Sequence, residues 1–144
     1  PAVRAVVSYS DPHPRRTVDG RLVMPGHVGT IYQAFNGRHV GRSKPRMLWL
    51  ATDGREISPR MLSKLRNGER GDSYAYERLL ALGAPRRRPL EDARAYIARV
   101  LAEGPFRAER HPGCLAYVWA FAPRDRRGLP TALPYPKRDE RKVA

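Results

Sequence analysis

The apolar residues of this chain come in short runs, each closed within a few positions by proline, glycine or a cluster of charge. Residues 3–8 are apolar and partly β-branched, and Tyr9-Ser10-Asp11-Pro12 closes them. That is the pattern of a short core strand running into a polar loop, and it places Asp11 at the strand's C-terminal edge. Residues 13–25 hold prolines, arginines and a glycine without periodicity, and read as an exposed excursion. From 26 to 35, Val28, Ile31, Ala34 and Phe35 fall at helical spacing, with Asn36-Gly37 as a stop. This predicts a helix whose apolar stripe packs inward, with Tyr32 at the stripe's border.

The same alternation continues. Residues 39–41 and 47–51 read as strands, and Asp53-Gly54 as a hairpin turn into 55–57. Ser58-Pro59 is an N-cap and first-turn pair for a helix through Leu65 that Asn67-Gly68 ends. A second helix is expected over 74–82, capped by Ser73 and stopped by Gly83. A third spans 90–103, with Leu90, Ala93, Ile97, Val100 and Leu101 on one face. Pro85-Arg86-Arg87-Arg88-Pro89 between them is a rigid basic linker, and 115–121 is one more strand with two aromatics. The expected fold class is α/β or α+β, a mixed sheet with flanking helices in residues 1–123, followed by a basic, proline-rich arm over 124–144.

Several classes are excluded or disfavoured. No apolar run approaches the roughly 20 residues that span a bilayer, and no signal peptide is present, so a cytoplasmic protein with no membrane partner is expected. Cys114 is the only cysteine, which rules out a disulfide framework or a cysteine-based zinc site and suits a reducing compartment. The histidines at 13, 27, 39 and 111 lack helical metal-ligand spacing. Gly26-His27-Val28-Gly29 is too short for a phosphate loop, so nucleotide triphosphate hydrolysis is not expected.

Charge points to a partner. Lys and Arg number 28 against 14 Asp and Glu, a net charge of +14. Such an excess costs self-repulsion in a compact chain and favours a polyanionic partner, nucleic acid first. The candidate phosphate contacts are Arg15, Arg16, Arg38, Arg42, Lys44, Arg86, Arg87, Arg88, Lys137 and Arg138; they would explain affinity, not site choice. Trp49, Tyr74, Tyr76 and Trp119 suit core or half-buried positions, whereas Tyr135 in the arm is free to touch nucleic acid.

Asp11 at a strand end, His27 opening a helix and Tyr32 further along could meet at one edge of a sheet, where open α/β folds hold ligands. A carboxylate, an imidazole and a phenol supply acid, base or metal-ligand chemistry. The plainer alternative makes Asp11 a turn residue before Pro12, His27 a helix-start residue and Tyr32 an amphipathic surface residue.

Val7-Ser8-Tyr9-Ser10-Asp11-Pro12, then Gly26-His27-Val28-Gly29-Thr30-Ile31-Tyr32-Gln33-Ala34, then Val40-Gly41 resemble the phage Mom-like DNA modification proteins, relatives of the GNAT acyltransferases. The likeness continues more loosely through Ser58-Pro59-Arg60, residues 66–71, the strand near Trp119 and Pro134-Tyr135-Pro136-Lys137-Arg138. The resemblance implies a GNAT-like fold and a phage-encoded enzyme that adds a carbamoylmethyl-type group to the exocyclic amine of adenine in double-stranded DNA, protecting it from restriction. It carries active-site roles to Asp11 and Tyr32, with His27 and Ser8 as supporting neighbours. It also implies acetyl-CoA or a related acyl donor and an iron, for which Asp11, His27 and Tyr32 are acceptable ligands. The acyl-donor-binding first half of a GNAT fold would precede Pro1, so the donor is expected to be held mainly by that N-terminal half, whether it belongs to the same reading frame or is a separate polypeptide. Residues 15–25 are an insertion relative to the family pattern. Two other readings stand beside this one: a non-catalytic basic DNA-binding or packaging accessory, and a GNAT-like acyltransferase acting on a small amine.

Overall fold

The computed structural model describes residues 3–137. In chain order the elements are β1 (Ala5–Ser10), β2 (Arg15–Arg16), β3 (Leu22–Met24), α1 (Thr30–Ala34), β4 (Arg38–Arg42), β5 (Arg46–Leu50), α2 (Pro59–Asn67), α3 (Asp72–Ala81), α4 (Ala93–Glu103), β6 (Arg107–His111), β7 (Leu115–Ala120) and a 3-10 turn over Pro123–Gly128. Helices and antiparallel sheets in separate stretches of chain make this an α+β fold. The chain divides into two compact units, one of residues up to 15, 24–46 and 111 onward, the other of 16–23 and 47–110. Among the described residues no helix is long and apolar enough to cross a membrane.

The first unit is built on a three-stranded sheet of order β1-β7-β4. The aromatic run of 115–121 forms its central strand, and both neighbours pair with it antiparallel. Register sets Ser8 opposite Tyr117 and Ser10 opposite Leu115 on one side, and His39 opposite Tyr117 on the other. The register then shifts between His39 and Gly41, a bulge at Val40 that bends the strand. Ser8, Ser10, His39, Tyr117 and Trp119 therefore share one face.

Three expectations for this unit are corrected. The first strand is not a core strand: β1 is bonded on one side only, and Val6, Val7 and Tyr9 are exposed while Ser10 is the fully buried residue. The helix at 30–34 is one turn shorter than expected and lies the other way round, with Ile31 and Phe35 61% and 71% exposed. Its inward residues are Tyr32 and Gln33, because the sheet face beneath is hydroxyl, imidazole and aromatic, a surface that a phenol and an amide match and an aliphatic stripe does not. Nor does the arm project freely as far as Lys137, residues 138–144 lying outside the described residues. After the 3-10 turn, Leu133 N–H donates to the His39 carbonyl at 2.8 Å, Arg38 to the Pro130 carbonyl at 3.0 Å, and Gln33 to the Pro136 carbonyl at 3.3 Å. The outer side of β4 offers unpaired backbone groups, and the arm satisfies one of them.

The second unit packs α2, α3 and α4 around Ala51, Ile57, Leu79, Ile97, Val100 and Tyr96, each at most 3% exposed. The Asp53-Gly54 hairpin forms as expected: Leu50 bridges Glu56 and Ala51 N–H bonds to the Arg55 carbonyl at 2.9 Å. Helix starts are less faithful. Ser58 makes no side-chain cap bond, and Ser73 lies inside α3 behind an N-cap at Gly71. The third helix begins three residues late because Asp92 accepts hydrogen bonds from Arg94 and Ala95 N–H, leaving Leu90 outside with positive φ and fully exposed. Strand β6 has no apolar signature in Arg-Ala-Glu-Arg-His and is invisible to hydrophobic periodicity.

Candidate functional site

Asp11 follows the buried end of β1. One carboxylate oxygen, Oδ1, lies 2.8 Å from His111 Nε2 and accepts the His13 N–H at 2.9 Å; the other, Oδ2, accepts Arg15 Nη2 at 2.9 Å. The state of His111 follows from its second nitrogen. Gly113 N–H donates to His111 Nδ1 at 3.0 Å, so Nδ1 presents a lone pair and the proton sits on Nε2, directed at Asp11. The imidazole is fully buried, and the His13 ring meets it edge-on with centroids 5.2 Å apart. Burial works against an Asp11 charge, but the bonds from His111 and His13 and the Arg15 guanidinium outweigh it and hold the carboxyl below its ordinary range. Asp11 is thus a fixed anion, a weak base, and suited to stabilising positive charge or orienting a donor.

The Gly-His-x-Gly segment brings the other candidates alongside. His27 N–H donates to the Asp11 carbonyl at 2.7 Å. Gly26 and Gly29 both have positive φ, and a Cβ on either would stand 2.6 Å from the Pro12 carbonyl oxygen or 2.7 Å from a Tyr117 ring carbon. Only glycine passes at both points, so the motif's spacing is set by a loop crossing over Pro12 and Tyr117 rather than by a bound phosphate. The exposed His27 ring then lies 6.3 Å from that of Tyr32, and Tyr32 packs tilted against Tyr117 and edge-on against Trp119, with centroids 5.4 and 5.6 Å apart. His27 is therefore the link, bonded through its backbone to Asp11 and touching Tyr32 through its ring. Tyr117 ties the layer together: its hydroxyl donates to the Val28 carbonyl at 2.5 Å and accepts from Gln33 Nε2 at 3.1 Å. Burial pushes this phenol up despite the Gln33 bond, which keeps it protonated. Ser8, half-buried opposite Tyr117, shares the same sheet face.

Sequence reasoning missed the shell around Asp11. Arg15 is expected as a phosphate contact, yet its guanidinium is paired with Asp11 and its side chain is only 15% exposed. The i,i+4 spacing of the two was the available signal. His111 sits 100 residues away, and only the β6–β7 turn delivers it. Among the other basic candidates, Arg42, Lys44, Arg86, Arg87, Arg88 and Lys137 are exposed, Arg16 bonds to the Gly20 carbonyl, Arg38 is half-buried under the arm, and Arg138 lies outside the described residues.

The iron that the resemblance implies was expected at Asp11, His27 and Tyr32. The His, Cys, Asp and Glu donor atoms that converge among the described residues are those of Asp11, His111 and Cys114, within 4.8 Å of one another. This trio does not fit a metal ion as it stands. The protonated Nε2 of His111 faces Asp11, its Nδ1 is taken by Gly113, and the Asp11 oxygens are held by a ring N–H and a guanidinium. A cation would have to displace a proton and an arginine together. Comparison with protein-family models, curated proteins and solved structures finds no match.

Proposed function

We propose that this chain binds DNA and takes part in modifying an exocyclic base amine, with Asp11 as the anion that steadies the reacting nitrogen. The observation that carries this reading is the Asp11 carboxylate itself, held ionised by His111, His13 and Arg15 at the end of β1 in a chain of net charge +14. An amine that attacks an electrophile gains positive charge until it loses a proton, and a fixed carboxylate lowers the energy of that state. The exposed arginines and lysines supply phosphate contacts, so duplex affinity falls steeply with salt. Reaching the amine in this geometry requires the base to leave the stack. The likeness of the Ser-Tyr-Ser-Asp-Pro and Gly-His-x-Gly segments to Mom-like proteins supports adenine as target and an acyl-type donor.

The test is mass analysis of nucleosides from DNA of cells expressing the protein, beside Asp11→Asn, which keeps shape and removes charge. A new adenine species that Asp11→Asn abolishes, with salt-dependent duplex binding intact in both, is the expected outcome. Unmodified adenine in DNA from cells expressing the unaltered protein overturns the enzymatic reading. A second reading, a non-catalytic DNA-coating protein, draws on the fact that both Asp11 oxygens already have partners; it requires unmodified DNA together with retained duplex binding.

A further inference from the structure

Two neighbouring cavities of the first unit share Asn36 and Arg38. One, about 370 Å³, is walled by Phe35, Trp119, Leu129 and Arg126; the other, about 410 Å³, by His39, Leu133, Pro134 and Tyr135. Both fall in the size range of ligand sites. Each carries aromatic rings, and the shared wall carries a cation.

The rings are held in place by the fold. Trp119 Nε1 donates to the Phe35 carbonyl at 2.9 Å, and its indole stands edge-on to Tyr32 at 82°. Its benzene edge runs so close to the α1–β4 turn that a Cβ at residue 37 would be 2.4 Å from Trp119 Cζ2, so Gly37 is required there. Phe35 and Tyr135 stay 71% and 46% exposed, unusual for rings with nothing to cover them.

The polar groups around the cavities are mostly uncommitted. Arg38 spends Nη1 on the Leu129 and Pro130 carbonyls and keeps Nε and Nη2 without a bond among the described residues. The side chains of Asn36 and Arg126 are exposed and likewise make none. His39 is the second, independent sign. Its Nδ1 lies 2.9 Å from the Pro134 carbonyl and so carries the proton, which leaves Nε2 as a lone-pair acceptor, buried and with no partner. A buried acceptor left unsatisfied costs free energy, and because this atom has essentially no accessible surface a ligand donor would reach it only with a local shift of the cavity wall.

Flat rings in both cavities, guanidinium groups at and beside their common wall, an amide, and an imidazole acceptor together match consecutive nucleotides of a single strand: bases against the rings, phosphate on arginine, an exocyclic amine toward an acceptor. We infer that these paired cavities form a single-stranded DNA groove, in which Trp119 and Phe35 take one base, Tyr135 the next, and Arg38 with Arg126 the phosphates. This rests on the DNA reading above and adds that the strand is held unpaired, as amine chemistry on an extruded base needs.

The experiment measures binding of a short fluorescein-labelled oligodeoxynucleotide at low salt to the full chain, with Trp49→Phe as background so that tryptophan emission reports Trp119 alone. Binding should quench that emission. Phe35→Ala, which removes an exposed ring and keeps the carbonyl that holds Trp119, should weaken the oligonucleotide about 5- to 150-fold, the range for one base–aromatic stack. Arg38→Ala with Arg126→Ala should flatten the salt dependence of the same affinity, and Arg126→Ala alone should do so in part if the double variant fails to fold. Unchanged affinity and emission in these variants, with duplex binding and adenine modification intact, overturn the groove and leave the DNA reading standing. Failure to bind either duplex or single strand overturns both. Tighter binding of the matching oligoribonucleotide, or displacement by inorganic phosphate alone, overturns the assignment to single-stranded DNA.

Discussion

The two units differ in what they bury. The second closes on aliphatic and aromatic carbon, Ala51, Ile57, Leu79, Ile97 and Val100 around Tyr96. The first buries Ser10, His39 and His111, polar groups that are 8% exposed or less, beside Leu115, Tyr117 and Val118. Apolar contact is non-directional and tolerates small shifts, whereas a buried imidazole or hydroxyl is stable only if each polar atom finds its partner. One interior therefore supplies stability and the other fixes geometry. That the second kind surrounds Asp11, and lends His39 to one of the two paired cavities, is what makes the first unit the place to look for chemistry.

The comparison breaks most visibly by emptying the apolar interior. Leu79→Ala should destabilise the second unit by about 2–5 kcal/mol in urea unfolding, the cost of a buried leucine with its cavity. His111→Phe, which keeps a ring but leaves Asp11 and Gly113 N–H without their partner, should cost about 1.5–3 kcal/mol, the range for hydrogen bonds to charged groups. It should also raise the Asp11 pKa in an NMR titration, which an apolar substitution in the other unit should not do.

Acid sharpens the contrast. Glu91 is held at about 2, first by its bond to Arg99 and then by Arg88 N–H, against some desolvation. Asp11 is lowered in the same direction by His111, His13 and Arg15 against burial. A carboxylate lowered in the folded state contributes stability above its unfolded pKa and loses it as pH falls through the folded one. Both units should therefore weaken as pH drops below the ordinary carboxylate range. Glu91→Gln should flatten the acid limb of denaturation in the second unit and Asp11→Asn in the first. The smallest effect belongs to the helix starts: Asp92→Ala should lower the melting temperature by on the order of a few degrees, while Ser58→Ala, with no cap bond to lose, should leave it unchanged.

Legibility in the sequence followed the same division. Where apolar spacing and turn chemistry agree, as at Pro59–Asn67 and the Asp53-Gly54 hairpin, elements were readable to within a residue or two. Where partners lie far apart in the chain, they were not. Asp11 at the strand tip and the glycine spacing of 26–29 stood out, but the reason for that spacing, a crossing over Pro12 and Tyr117, did not. Ile31 and Phe35 mimicked a core stripe on a helix whose inward face is Tyr32 and Gln33. The arm looked extended because nothing in Pro-Tyr-Pro announces that β4 lacks a partner on its outer side.

By itself the sequence determined the α+β class, most of the helices and strands, the cationic balance and the chemical character of Asp11, because these depend on local composition, periodicity and total charge. Tertiary structure alone decided which histidine donates to Asp11, that Arg15 is spent on it, and that Phe35, Trp119 and Tyr135 wall adjoining cavities. Hydrogen bonds and ring contacts act over a few ångströms in space, and no pattern of neighbours along the chain records which distant residues will meet.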